Sequence, residues 1–143
     1  MTEVYFSRGV GYVRDGELDK AIADLSEGIR RKPKLAKGYL YRGNAYFAKN
    51  EMDPAIQDYS EVIHLSPNAA KAFFQRGRAF GVKGDCDKEL ADLSEAIRLD
   101  PRDDMYMSRG VAYVSKADWK NVISDQGPGE RFCPTAWRSC LPA

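Results

Sequence analysis

Apolar positions in this chain recur at helical rather than strand spacing. Tyr39, Leu40, Gly43, Tyr46 and Phe47 keep to one side of a helix, and Ile56, Tyr59, Val62 and Ile63 do the same for a second. Between such stretches stand Asp15-Gly16, Lys49-Asn50 and Lys83-Gly84, where Gly or Asn tolerates the left-handed conformation that ends a helix. Asp53 before Pro54 reads as a start signal, with the carboxylate accepting free N–H groups and the Pro losing no bond at the first helical position. Pro33, Pro67 and Pro101 close each second helix, because Pro disfavours helical geometry in the residue before it. The predicted element order is helix A, tight turn, helix B, stop.

The pattern is periodic. Tyr5, Arg8, Gly9 and Tyr12 return 34 positions later as Tyr39, Arg42, Gly43 and Tyr46, then as Phe73, Arg76, Gly77 and Phe80. In the second half of each unit, Asp19, Ala21, Ile22, Asp24, Ser26, Glu27, Ile29 and Pro33 correspond to Asp53, Ala55, Ile56, Asp58, Ser60, Glu61, Ile63 and Pro67. A third copy runs from Asp87 to Pro101 with Glu89 where the others carry Ala; a fourth set, Tyr106, Arg109, Gly110 and Tyr113, comes one residue early and fades through Val122, Ile123 and Asp125. A helix pair this short cannot bury its own apolar face, so the units must stack on one another. The expected fold is an all-α solenoid of antiparallel helix pairs, one domain over 2–125 (units 2–35, 36–69, 70–102 and a partial 103–125). A non-repeating tail, 126–143, follows it. Such an array offers a groove rather than a catalytic pocket.

Glycine within a helix costs on the order of 1 kcal/mol against alanine, so Gly9, Gly43, Gly77 and Gly110 need compensation. Close helix approach supplies it, with Ala21 and Ala55 as the small facing residues. Glu89 breaks that rule, and its carboxylate is expected to turn outward or to open the third pair slightly. Tyr12, Tyr46, Phe80 and Tyr113 are expected to fill the space between A and B. The tail is expected to fold back as a cap, with Phe132 or Trp137 covering the end left by the half-formed fourth unit.

The aromatic-x2-Arg-Gly-x2-aromatic pattern, with the small residue of helix B and the closing Pro, resembles the tetratricopeptide repeat over about Thr2 to Asp125. That resemblance implies a right-handed superhelix whose concave face, lined by helix A, binds peptides or other proteins. Carried onto this chain, the groove would be presented by Phe6 and Val10, by Lys37, Leu40, Tyr41 and Asn44, and by Lys71, Phe74, Gln75 and Arg78, with Glu3, Ser7, Met107, Ser108 and Val111 extending it. Aromatic platforms, amides and cations suit an extended peptide. Family members that clamp the carboxylate terminus of heat-shock chaperones use Lys and Asn, then Asn, then Lys and Arg on successive A helices. Here those positions hold Phe6 and Val10, Tyr41, then Lys71 and Gln75, so only Lys71 matches.

One departure from the family pattern is periodic in charge. Arg8, Arg42, Arg76 and Arg109 stand where Leu is common, and Asp24, Asp58, Asp92 and Asp125 recur in step. We expect Arg42, Arg76 and Arg109 to pair with Asp24, Asp58 and Asp92, joining each A helix to the preceding unit's B helix. The alternative is an arginine ladder open to an acidic ligand.

A formal net charge of +1, with acids and bases interspersed, supplies no electrostatic footprint for nucleic acid or an anionic membrane. No stretch approaches the roughly 20 apolar residues of a spanning helix, and the N-terminus lacks the basic and apolar regions of a secretion signal. A cytoplasmic location is expected. The three cysteines lack the spacing of a disulfide framework or a zinc site, and Cys86, in register with Leu18 and Met52, reads as a buried apolar residue. Neither metal nor cofactor is implied. The single histidine, His64, falls near a helix C-terminus in register with Arg30 and Arg98; without a nucleophile signature or a phosphate loop, no enzyme is expected. The expected function is protein–protein interaction by a monomer or a weak self-associator; assembly through uncapped ends is the structural alternative, and the chain reads as a possible fragment of a longer array.

Overall fold

The computed structural model describes residues 2–115. The partial helix B expected up to Asp125, the tail 126–143 and the expected cap by Phe132 or Trp137 lie outside the described residues. Within them the chain forms α1 (Thr2–Asp15), α2 (Leu18–Arg31), α3 (Ala36–Ala48), α4 (Met52–Leu65), α5 (Ala70–Lys83), α6 (Cys86–Leu99) and α7 (Asp103–Ser115), without a strand. Each helix packs on the next, so the architecture is an all-α solenoid of helix pairs.

The turn chemistry follows the sequence closely. Gly16, Asn50 and Gly84 adopt φ of 82, 64 and 84°, the left-handed region in which only Gly, and next Asn, sits without strain. The residue after each closes the helix end with a bond to a carbonyl five positions back: Glu17 to Tyr12, Glu51 to Tyr46 and Asp85 to Phe80, each 2.9 Å. At the other turn, α2, α4 and α6 end two residues before Pro33, Pro67 and Pro101.

The B-helix start differs from expectation. α4 begins at Met52 after Glu51, which makes no side-chain cap, so Asp53 and Pro54 lie inside the first turn. The Asp53 carboxylate instead binds Lys83 of the next unit, as Asp19 binds Lys49 at 2.7 Å. Of the three B helices, only α6 carries a side-chain cap, from Asp85 to the Lys88 N–H.

The buried core lies between A and B helices. Ala21, Leu25 and Ala45 form its first cluster, Leu90, Leu93 and Ala112 a second, and Ala96, Ile97 and Met105 a third. At Gly9 and Gly43 the nearest side chain is the large one, four positions beyond the alanine. A Cβ at Gly9 would lie 2.7 Å from Leu25 Cγ, and one at Gly43 would lie 2.8 Å from Tyr59 Cε1. These glycines therefore accommodate a bulky B residue rather than opposing a small one. Tyr12, Tyr46, Phe80 and Tyr113, expected to fill the A–B space, are only half-buried; the aromatic that is wholly enclosed is Tyr59. Cys86 is half-buried too, at the edge of a cleft.

Candidate peptide-binding groove

Consecutive A helices touch one another (α1 with α3, α3 with α5, α5 with α7), whereas α2, α4 and α6 do not. The array is therefore closed on its A side and splayed on its B side, which makes the A face the inner one.

Periodic charge stitches this frame together, with a different register from the one expected. Arg42 donates from Nε and Nη2 to Asp58 of its own unit at 2.8 and 2.7 Å, and from Nη1 to Ser26 of the preceding unit at 3.1 Å. Arg76 repeats the arrangement with Asp92 (2.7 and 2.8 Å) and Ser60 (3.1 Å). Arg8 pairs with Asp24, and Arg109 reaches Ser94 at 3.2 Å. The carboxylate thus comes from the same helix pair, and the link to the preceding unit is a serine. Each central guanidinium also sits between two rings, Arg42 between Tyr39 and Tyr46 (5.8 and 6.0 Å) and Arg76 between Phe73 and Phe80 (5.6 and 6.0 Å). The Asp58 hydrogen bond raises the Arg42 pKa further. Asp58 and Asp92 are buried, so Arg42 and Arg76 are committed to the scaffold and offer no ladder to a ligand.

The residues expected to line the groove divide into three groups. Phe6 packs inward against the first core cluster, where a Cβ at Gly38 would come within 2.7 Å of its ring. Tyr41 packs on the same cluster, and Phe74 packs against both the second and the third. Leu40 is half-buried, while Val10, Lys37 and Lys71 are exposed. Asn44, Gln75 and Arg78 are brought together. Asn44 Oδ1 accepts from Tyr59 Oη at 2.9 Å and from Gln75 Nε2 at 3.3 Å; Gln75 Oε1 accepts from Arg78 Nη1 at 3.1 Å. Burial pushes the Tyr59 phenol well above its ordinary pKa, so it remains a donor anchoring this relay. The Arg78 guanidinium stacks over Phe47 (5.0 Å) and Phe74 (5.8 Å) and, among the described residues, has no carboxylate partner.

Sequence reasoning overlooked Phe47, Tyr59 and Glu89 as groove elements. Phe47 and Glu89 line, with Arg78, a cleft of about 380 Å³. The available signal was a pair of register breaks: Glu89 for alanine, and Gly81 where the other units carry Val13 and Phe47. Among the described residues, no cluster of His, Cys, Asp or Glu could hold a metal ion, and no helix is long and apolar enough to cross a membrane.

Residues 43–84 match the family model of the TPR repeat. A search of curated proteins by sequence finds no match. Solved structures share the fold. MamA superposes with a TM-score of 0.84 at 25% identity, over 87% of this chain and 73% of its own. The first TPR of Spaghetti (RPAP3), solved with the HSP90 peptide SRMEEVD, gives 0.79 at 21% identity over 81% and 93%. A thermophilic TPR protein of Thermus thermophilus gives 0.76 at 19% identity over 99% and 81%.

Proposed function

This chain is a tetratricopeptide-repeat protein, and on that premise we propose that it is a cytoplasmic interaction module, not an enzyme, holding an extended peptide or protein segment along its inner face. The observation that carries this reading is the Tyr59–Asn44–Gln75–Arg78 relay, which crosses from one unit to the next and presents a guanidinium without a carboxylate among the described residues. Four ordered side chains in one hydrogen-bonded line lose little entropy on binding, and a stacked, preorganised guanidinium suits a carboxylate or backbone carbonyl. Lys37 and Lys71 add exposed cations, while Leu40 and Val10 offer apolar contact on the same face. Phe6, Tyr41 and Phe74 support the groove from behind, with half-exposed ring edges.

The RPAP3 domain binds an HSP90 peptide, but of the five clamp positions only Lys71 keeps its residue type here, so a different peptide is proposed for this groove. The test is selection from a displayed random peptide library on the immobilised full chain and on the variant N44A/K71A/R78A. Sequences enriched on the native chain and lost on the variant support the groove, provided that the variant, which should melt somewhat lower because Tyr59 loses its acceptor, is still helical by circular dichroism at the selection temperature. Equal retention by both proteins, or no enrichment at all, overturns it.

A further inference from the structure

At one place a carboxylate has been put where the repeat calls for a methyl group. Ala21 and Ala55 are completely buried; their counterpart Glu89 is half-buried, with its carboxylate over Gly81. A Cβ at Gly81 would fall 2.5 Å from Glu89 Oε1, so the carboxylate occupies the volume that Val13 and Phe47 side chains hold in the other units. The two register breaks are therefore reciprocal in size: helix B gains a long acid where helix A loses its side chain. The result is the cleft of about 380 Å³ among α5, α6 and α7, with Phe47, Val82 and Val111 as apolar walls. That volume lies within the ordinary range of ligand sites, about 300–1,000 Å³.

A half-buried carboxylate costs free energy unless a donor answers it. Among the described residues none does. The charged or titratable groups that face it are Arg78 from α5 and Cys86 on its own helix; α7 contributes only Ser108, Val111 and Ser115, and α3 only Phe47. Arg78 is held away by Gln75 and by the faces of Phe47 and Phe74. Burial alone pushes the Glu89 carboxyl above its usual pKa, the direction expected of an acid awaiting a cation.

We propose that this cleft takes a lysine or arginine side chain of the peptide lying in the groove, its cation on the Glu89 carboxylate and its methylenes against Phe47, Val82 and Val111. The inference rests on the groove reading and adds a specificity to it. Arg78 and Glu89 share one cleft, so the bound segment carries an acid or free carbonyl beside a basic residue. Alternating charge of this kind is what the groove selects.

The library selection tests this directly. Peptides enriched on the native chain should share Lys or Arg at one position. Replacing that residue by alanine in a selected synthetic peptide should weaken binding at least about tenfold, the worth of a charge-assisted hydrogen bond. Glu89→Gln should cost the same, and the two changes together no more than either alone. Glu89→Ala, which restores the residue of the other repeats, should behave as Glu89→Gln does. A selected peptide set with no basic position, or one that Glu89→Gln binds as tightly as the native chain, overturns this inference while leaving the groove standing, because N44A/K71A/R78A would still abolish capture. Enrichment of nothing overturns both.

Discussion

Asp58→Ala is the most informative single change in the scaffold. Asp58 is 4% exposed, and its carboxylate accepts both parallel bonds from Arg42, whose guanidinium lies against Tyr39, Tyr46 and Ser26. Removing it strands a cation that cannot swing into water without leaving both rings. Breaking a buried pair costs roughly 3–5 kcal/mol; because about a fifth of the Arg42 side chain is still accessible, the lower end, about 3 kcal/mol, is expected. That is a large part of the roughly 5–15 kcal/mol total stability of a small domain. Asp24→Ala provides the internal control, since its partner Arg8 is half-exposed; its cost should be clearly smaller. Arg42→Met added to Asp58→Ala should recover part of the loss, because no charge then remains stranded. Urea unfolding followed by far-ultraviolet circular dichroism measures these proteins together with Arg42→Met alone, five in all. An Asp58→Ala cost no greater than that of Asp24→Ala, or strictly additive single changes, would refute the assignment of Arg42 as a buried tie between units.

Gly43→Ala should destabilise by about 1–3 kcal/mol, because the new methyl would press on the enclosed Tyr59 ring, whereas Gly11→Ala, which meets nothing within 4 Å, should stabilise by about 0.5–1 kcal/mol; paired denaturation curves show both signs. Glu27 should titrate at about 2 by NMR, held down by hydrogen bonds from Arg30 and Arg31. Its folded pKa is depressed, so the stability it contributes is present above the ordinary value of 4.5 and is lost as pH falls through about 2, a dependence that Glu27→Gln should flatten. Glu89 has the opposite sign: with its folded pKa raised above 4.5, stability is full below that value and is lost as pH rises through the raised one. Glu89→Gln should accordingly melt higher than the native chain near pH 7, and the gap should close toward about pH 4. Melting curves at the two pH values decide it.

The helices, their turns and their stops were legible because each is written locally and repeatedly, in helical spacing, Gly or Asn at the turn, and Pro at the end. Pairing was not. Arg42 lies 16 residues before Asp58 and 18 after Asp24, and a periodic sequence does not choose between them; the antiparallel A–B packing does, and it leaves Ser26, two residues beyond Asp24, for the other side of the guanidinium. The apolar series Phe6, Leu40 and Phe74 was visible as a stripe, but spacing alone could not separate a groove platform from a plug. For Phe6 the answer lay in Gly28 and Gly38, whose missing side chains make the hole it fills. Glu89 was visible as an exception. Its destination became readable only once Gly81, eight residues earlier, was seen as the other half of the same exchange.

Because inner helices touch and outer helices do not, the array is hinged along one edge and free along the other. A body built that way is soft to bending in one plane and stiff in the rest. The exposed ties between units, Asp19 to Lys49 and Asp53 to Lys83, act as weak struts, and added salt shortens the reach of such charges to about 3 Å at 1 M. Curvature thereby becomes an elastic variable set by the ionic medium, and a long segment can be gripped by a slight coiling of the whole spring rather than by any one loop closing over it.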